Sequence, residues 1–353
     1  MRHSDADWRA VDTAGMEHSA YRKSGATLPW GSLEGSHGVA MEGYFWRITD
    51  VATSRVVVAL IGVNQGPRGP WATLGLAGSP GGFLRLGEPD GAEARVGGLG
   101  ARSGDLFAGD DRSLRVNLGS DAQLEARIEP DHRWPRALVG GSSAFQSVPG
   151  LNQYWHPWLL GGRASGLARL GGATWEFTDA QIYGEKNWGK EGFPDSWWWG
   201  QAQGFDEPDV CVAFAGGEVV AGPLRTTVTG LVVRLPGGRV VRLGNPAISP
   251  VQAEVGDEHW RLRGRGYGYR IEVDAHAPLA DAHVLPVPLP SQHRNTAGAI
   301  EHLAGTMSVQ VSRRGRLLWA GTTQLAGLEH GGLARAEAEL RRRGVEPGAV
   351  GAG

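Results

Sequence analysis

The sequence predicts an all-β protein: two antiparallel β-barrel or β-sandwich domains followed by a short C-terminal helix. Three observations carry this. Short apolar runs recur about every 8–12 residues with glycine-rich turns between them, which is the spacing of sandwiches and barrels. These runs do not alternate with amphipathic helical stretches, so a doubly wound sheet does not fit. There are roughly twenty of them, more than one small closed barrel holds, and 353 residues at about 150 per domain also gives two domains.

In chain order, residues 1–24 read as a charged N-terminal tail. Runs at 44–49, 56–63, 114–117 and 122–128 build a first β domain over residues 25–162, with the boundary following Pro149-Gly150. Runs at 163–170, 173–183, 197–205, 226–233, 270–274, 306–311 and 316–325 build the second, over residues 163–332. Within it, Val232-Val233-Arg234-Leu235, the turn Pro236-Gly237-Gly238 and Arg239-Val240-Val241-Arg242-Leu243 form a hairpin with alternating faces. Residues 333–343 (LARAEAELRRR) follow Gly331-Gly332 and are rich in helix formers, mostly charged; they predict a surface helix within a terminal segment, 333–353.

Composition excludes several classes of function. Lysine plus arginine (35) nearly balances aspartate plus glutamate (37), leaving no electrostatic footprint for nucleic acid or an anionic membrane. A single cysteine, Cys211, allows no intrachain disulfide and fits a reducing compartment; followed by Val212-Ala213-Phe214, it reads as a buried strand residue. The N-terminus lacks an apolar signal region, and the longest apolar stretch, residues 56–63, is far short of the roughly 20 residues of a membrane helix. The expectation is a cytoplasmic protein. There is no G-x-S-x-G elbow, no P-loop at the single Gly-Lys pair, and no zinc-binding histidine or cysteine pattern. Gly264-Arg265-Gly266-Tyr267-Gly268 is a hairpin turn with no helix after it to bind a dinucleotide.

The chemistry concentrates in one region. Seven of the 14 tryptophans fall between residues 155 and 199, and two of the three lysines, Lys186 and Lys190, lie in that stretch. If 181–187 is a strand, Tyr183, Glu185 and Asn187 share one face while Lys186 and Trp188 share the other. A turn at Gly189 to Pro194 then brings in Trp197 and Trp199 on one face of the next strand, ahead of Gln201. A carboxylic acid in an apolar pocket has a raised pKa and stays a proton donor near neutral pH. Aromatic faces stabilise a developing cation by about 0.5–2 kcal/mol each. The grouping therefore suits carbocation chemistry. It also suits a purely structural role, with Glu185 and Lys186 as an ion pair pinning two barrels together. His156 in Tyr154-Trp155-His156-Pro157-Trp158 and Glu42, sharing a strand face with Tyr44 and Trp46, are further pocket candidates. Asp179 reads as a turn residue.

These blocks resemble the tocopherol cyclase family, a lipocalin-like group that is also similar to carotenoid 1,2-hydratases. The resemblance runs over residues 28–332 through Met41-Glu42-Gly43-Tyr44-Phe45-Trp46, Tyr154-Trp155-His156-Pro157 and Gly162-Arg163-Ala164-Ser165-Gly166. Its most specific string is Glu185-Lys186-Asn187-Trp188-Gly189, Phe193-Pro194 and Trp197-Trp198-Trp199 to Gln201, followed by Ala326-Gly327-Leu328-Glu329 and Gly331-Gly332. The resemblance implies two lipocalin-like barrels, no metal or organic cofactor, and closure of a prenylated hydroquinone to a chromanol. In that reaction the prenyl alkene is protonated and the phenol oxygen traps the tertiary cation. On this basis Glu185 is expected as the proton donor, with Trp188 and Trp199 as cation-stabilising walls and Asn187 or Lys186 orienting the phenol. Trp197, Gln201, Tyr183, His156, Glu42 and Trp46 are expected around the substrate. The implied partner is a lipophilic prenylated small molecule, with peripheral membrane contact where such a lipid must be collected. A hydratase admitting water to the same cation, with the water held by Glu42 or His156, and a non-catalytic carrier of an isoprenoid ligand are the alternatives.

Overall fold

Residues 41–189 and 197–331 each curl into an antiparallel half-barrel, and the two half-barrels pack against each other in the computed structural model, which describes residues 16–28, 31–135 and 139–346. The first contains β1 (Met41–Asp50), β2 (Arg55–Gly66), β3 (Gly69–Ser79), β4 (Phe83–Gly87), β5 (Glu93–Ala94), β6 (Ala101–Ser103), β7 (Phe107–Gly109), β8 (Ser113–Asn117), β9 (Ala122–Pro130), β10 (Tyr154–Leu159), β11 (Gly162–Leu170) and β12 (Ala173–Gly189). The second contains β13 (Trp197–Ala202), β14 (Cys211–Ala221), β15 (Leu224–Arg234), β16 (Val240–Leu243), β17 (Val251–Val255), β18 (His259–Gly266), β19 (Tyr269–His276), β20 (His283–Leu289), β21 (Arg294–Arg313) and β22 (Arg316–Gly331). The strand orders are β4-β3-β2-β1-β12-β11-β9-β8-β7-β6-β5 and β16-β15-β14-β13-β22-β21-β19-β18-β17, with β10 also on β12 and β20 also on β21. The all-β, lipocalin-like class expected from the sequence is the fold observed. The 162/163 division falls between β10 and β11, both of which pair with β12, and the chain leaves the first sheet only after Gly189.

Outer strands show simple alternation. In β9, Ala122, Leu124, Ala126 and Ile128 are buried while Glu125, Arg127 and Glu129 are exposed. Central strands are covered on both faces and read as continuous apolar runs. Val57, Ala59, Ile61 and Val63 of β2 fill the first half-barrel, whereas Val56 and Val58 pack on Leu303 and Leu325 of the second. In β14, Val212 and Phe214 belong to the second core, while Cys211 and Ala213 join Trp155, Tyr183 and Trp199 at the junction. The hairpin at 232–243 forms as expected, with Val233 opposite Val241.

Asp179 is not a turn. It sits at a bulge inside β12 with φ 60°, where the pairing with β11 shifts, and its N–H donates to Ser165 Oγ at 3.1 Å. The extra residue lets one 17-residue strand pair with β11 below and with β1 and β10 above. Among the described residues, two α-helices accompany the sheets. α1 (Met16–Lys23) occupies part of the expected tail, with Tyr21 Oη donating to Ser147 O at 2.6 Å. α2 (Leu333–Arg342) follows Gly332 and buries Ala336 and Leu340 against Val284 and Ala297. The rest of the expected tails, residues 1–15 and 347–353, lies outside the described residues. Among the described residues no helix is long and apolar enough to cross a membrane.

Candidate active site

The interiors of the half-barrels are filled with side chains, and an apolar cavity lies between them. It measures about 200 Å³ and draws its lining from β1, β2, β3, β10 and β12 of one sheet and β13, β14, β15, β20, β21 and β22 of the other. Of the strand face expected to carry Glu42, Tyr44 and Trp46 to a pocket, only Tyr44 is among the residues lining this cavity. Trp46 is fully buried in the first core against Phe107 and Trp158, and its indole N–H donates to Asp110 O at 3.1 Å.

Alternation along β12 divides the expected site residues between two environments. Glu185 and Asn187 line the cavity together with Trp155, Trp197, Trp199, Phe45 and Phe193. Glu185 Oε2 accepts three hydrogen bonds: from Tyr183 Oη at 2.6 Å, Trp155 Nε1 at 2.8 Å and Trp199 Nε1 at 2.8 Å. No cation pairs with it among the described residues. Burial pushes its carboxyl above the usual range, and the three donors pull it part of the way back. Asn187 Oδ1 is buried with no hydrogen-bond partner. It fits because residue 43, opposite it on β1, is glycine; a Cβ there would lie 2.1 Å from Oδ1.

Lys186 and Trp188 face the other way. Lys186 Nζ is fully buried and spends its donors on Glu42 Oε2 at 2.7 Å, Gly35 O at 2.7 Å and His37 Nδ1 at 2.9 Å. Glu42 is thus a structural partner rather than a pocket acid. Burial would raise its pKa, but Lys186 and the N–H groups of His37 and Gly38 overcome that and hold it below the usual range. Trp188 stacks on His37 at 4.1 Å and on Tyr154 at 5.5 Å, and donates to Gly25 O at 2.6 Å. His156, opposite Lys186 on β10, is held neutral with its pKa lowered to about 3, by burial first and the lysine second. This network fastens Gly25 and residues 35–38 to the first sheet. A Glu185–Lys186 ion pair does not form, and Lys186, Trp188, Glu42 and His156 do not reach the cavity. Gln201 lies behind it, accepting from Arg47 Nη1 at 3.0 Å and donating to Cys211 Sγ at 3.6 Å.

Among the cavity residues that the sequence reading did not single out are Trp155 and two acids, Glu301 and Glu329. Glu301 on β21 stands directly opposite Glu329 on β22, and Glu329 stands opposite Trp199 on β13, so the three form a row across the second sheet. Glu329 Oε1 accepts from Trp197 Nε1. Its pKa is pushed up to about 7, by burial first, with Trp197 lowering it and the Glu185 charge raising it. Glu301 is 2% exposed and its Oε1 has no partner among the described residues. Burial, then Glu329, drives its carboxyl well above the usual range against the pull of Arg47. The available signal was a lone acid in the apolar run Ala297 to Ala304. Among the described residues no three His, Cys, Asp or Glu side chains are grouped to hold a metal ion.

A family model described as tocopherol cyclase-like matches residues 104–332. A probable chloroplastic tocopherol cyclase of Oryza sativa subsp. japonica is 26% identical over 251 residues, covering 63% of this chain and 49% of that protein. The chloroplastic tocopherol cyclase of Zea mays is 31% identical over 116 residues, covering 31% of this chain and 24% of that protein. The chain thus spans half or less of the length of these curated relatives. In fold, it resembles kievitone hydratase from Nectria haematococca with a TM-score of 0.50 at 9% identity, covering 84% of this chain and 89% of that one.

Proposed function

Since the chain belongs to the tocopherol cyclase-like family, we propose that it closes a prenylated hydroquinone to a chromanol in the cavity between its half-barrels. The observation that carries this reading is that Glu185, Glu301 and Glu329 are desolvated in a cavity walled by indoles and make no ion pair among the described residues. Closure is an isomerisation. A carboxyl proton adds to the less substituted alkene carbon, the π bond breaks, and positive charge develops on the tertiary carbon. A ring hydroxyl oxygen then forms the C–O bond and releases its proton. The reaction needs an acid, a base, an aromatic surface for the cation and little free water, so that the phenol oxygen captures it first.

Trp155, Trp197 and Trp199 supply the aromatic surface. Asn187, which lines the cavity, orients the ring through its amide. Glu185, two positions away on the same face of β12, meets the reacting hydroxyl. Lys186 and Trp188, facing away, take no part in the chemistry.

The test is incubation of the protein with prenylated hydroquinones in deuterated water, read by mass spectrometry. A cyclised product carrying one non-exchangeable carbon-bound deuterium is the expected result. A product heavier by one water identifies a hydratase instead, and unchanged ligand that stays bound identifies a carrier.

A further inference from the structure

Closing the ring moves one proton onto carbon and another off oxygen, so an efficient site holds one carboxyl protonated and another ionised at the same pH. Groups whose surroundings push their pKa values apart mark those roles. Four glutamates line the cavity; Glu218 is partly exposed and paired with Arg225, and the other three carboxyls sit in unlike settings. Glu185 has one oxygen saturated by three donors, an arrangement that favours the anion. Glu301 has an orphaned oxygen, accepts no hydrogen bond from any described residue, and lies across the ladder from a second acid, Glu329. Like charges directly opposite on neighbouring strands repel, and two such carboxyls share a proton more readily than both ionise. The charged groups acting on Glu301 are Glu329 from β22, Arg47 from β1 and Glu185 from β12. The Arg47 guanidinium directs its hydrogen bonds to Thr49, Gln201 and the carbonyls of Leu303 and Leu325, and none to Glu301.

We propose that Glu301, paired with Glu329, is the catalytic acid that protonates the alkene, and that Glu185 is the base that takes the phenol proton. This rests on the cyclase reading above and moves the donor role expected of Glu185 to a residue 116 positions further along the chain. The steps balance. The Glu301 O–H bond breaks as the alkene C–H bond forms. The phenol O–H bond breaks as its C–O bond forms, and that proton passes to Glu185. One proton returning from Glu185 to Glu301 restores the resting site, with no net change in the protein. Glu329 is a positioning residue: its negative character keeps the proton on Glu301.

The assignment is tested without substrate by infrared spectroscopy of the full chain at about pH 8.5, above the value near 7 at which Glu329 titrates, so that its carboxyl adds little to the band. The expected spectrum contains a protonated-carboxyl C=O stretch that disappears in Glu301→Gln and persists in Glu185→Gln. Persistence in Glu301→Gln, or loss in Glu185→Gln, overturns it. Circular dichroism confirms that each variant is folded, and Glu301→Asp, which keeps the acid, retains the band if the variant with glutamine loses it. In turnover, Glu301→Gln and Glu185→Gln each lower kcat by about 100-fold or more, the scale of one general acid or base. Glu329→Gln shifts the alkaline limb of the pH–rate profile to lower pH, which a merely structural residue would not do. A wild-type protein that converts no prenylated hydroquinone overturns the cyclase reading, and the catalytic role of Glu301 with it, whatever the infrared spectrum shows.

Discussion

Trp199, on the first strand of the second sheet, donates its indole N–H at 2.8 Å to Glu185, on the last strand of the first. One hydrogen bond therefore ties the two half-barrels together at the place where the proposed chemistry occurs. Hydrogen bonds to a charged group are worth about 1.5–3 kcal/mol, so this contact both fastens the sheets and tunes the carboxylate.

Replacing Trp199 with Phe removes that donor and keeps an aromatic ring. The remaining donors, Tyr183 and Trp155, stabilise the Glu185 anion less, so its pKa rises further. The acidic limb of the kcat/KM profile, where the base must ionise, moves to higher pH. A pH–rate series on the Trp199→Phe variant measures this, and an unmoved acidic limb would count against Glu185 as the base.

Lys186→Met removes the partner of a fully buried carboxylate. Breaking one side of a buried pair costs about 3–5 kcal/mol. A large fall in denaturation midpoint is expected, and the double variant Glu42→Gln/Lys186→Met recovers much of it because no charge is left stranded. Chemical denaturation of the four proteins in the cycle gives the coupling. Since neither residue reaches the cavity, the folded double variant keeps a turnover close to wild type.

The cavity acids make stability fall as pH rises. Glu185, Glu301 and Glu329 all have folded pKa values above the usual 4.5, so the native state binds more protons than the unfolded chain. Their contribution is complete below about pH 4.5 and is lost as pH climbs through the folded values, about 7 for Glu329. Each group adds a slope of up to about 1.4 kcal/mol per pH unit in that window. Glu42, held low, acts in the opposite sense, and its stabilisation is lost only as pH falls below 4.5. Buried histidines held low, His156 among them, act in the opposite sense below pH 6.5, so urea titrations are read as a difference: wild type is expected to lose stability relative to Glu329→Gln as pH rises from about 4.5 through about 7.

Gly331 faces Trp197 across the ladder, and a Cβ there would lie 1.9 Å from the indole. Gly331→Ala therefore displaces Trp197 and breaks its contact with Glu329, at an overpacking cost of about 1–3 kcal/mol. Thermal melting and tryptophan fluorescence register the displacement. With the Trp197 donor gone, Glu329 titrates at higher pH than in the wild type.

Much of this was readable along the chain. Period-two alternation placed Glu185 and Asn187 on one face of β12 and Lys186 and Trp188 on the other, because a strand's geometry is local. Turn chemistry located the hairpin at 232–243, and the density of tryptophan around β12 marked the region of the site. Tertiary structure decided which face mattered. A strand buried on both sides carries apolar residues on each, so nothing in β12 tells a filled half-barrel from a junction between two sheets. The same silence put Trp46 beside the substrate when it belongs to a core. Glu42 found Lys186 rather than a ligand because a buried lysine holds its charge only beside a counter-ion, and the fold brings the two strands into register. Glu301 and Glu329 join Glu185 only through the pairing of β21, β22 and β13 and the packing of one sheet on the other. The contacts that bring them to Trp199 and Glu185 span about a hundred residues of sequence or more, and they set the desolvation and charge that separate an acid from a base.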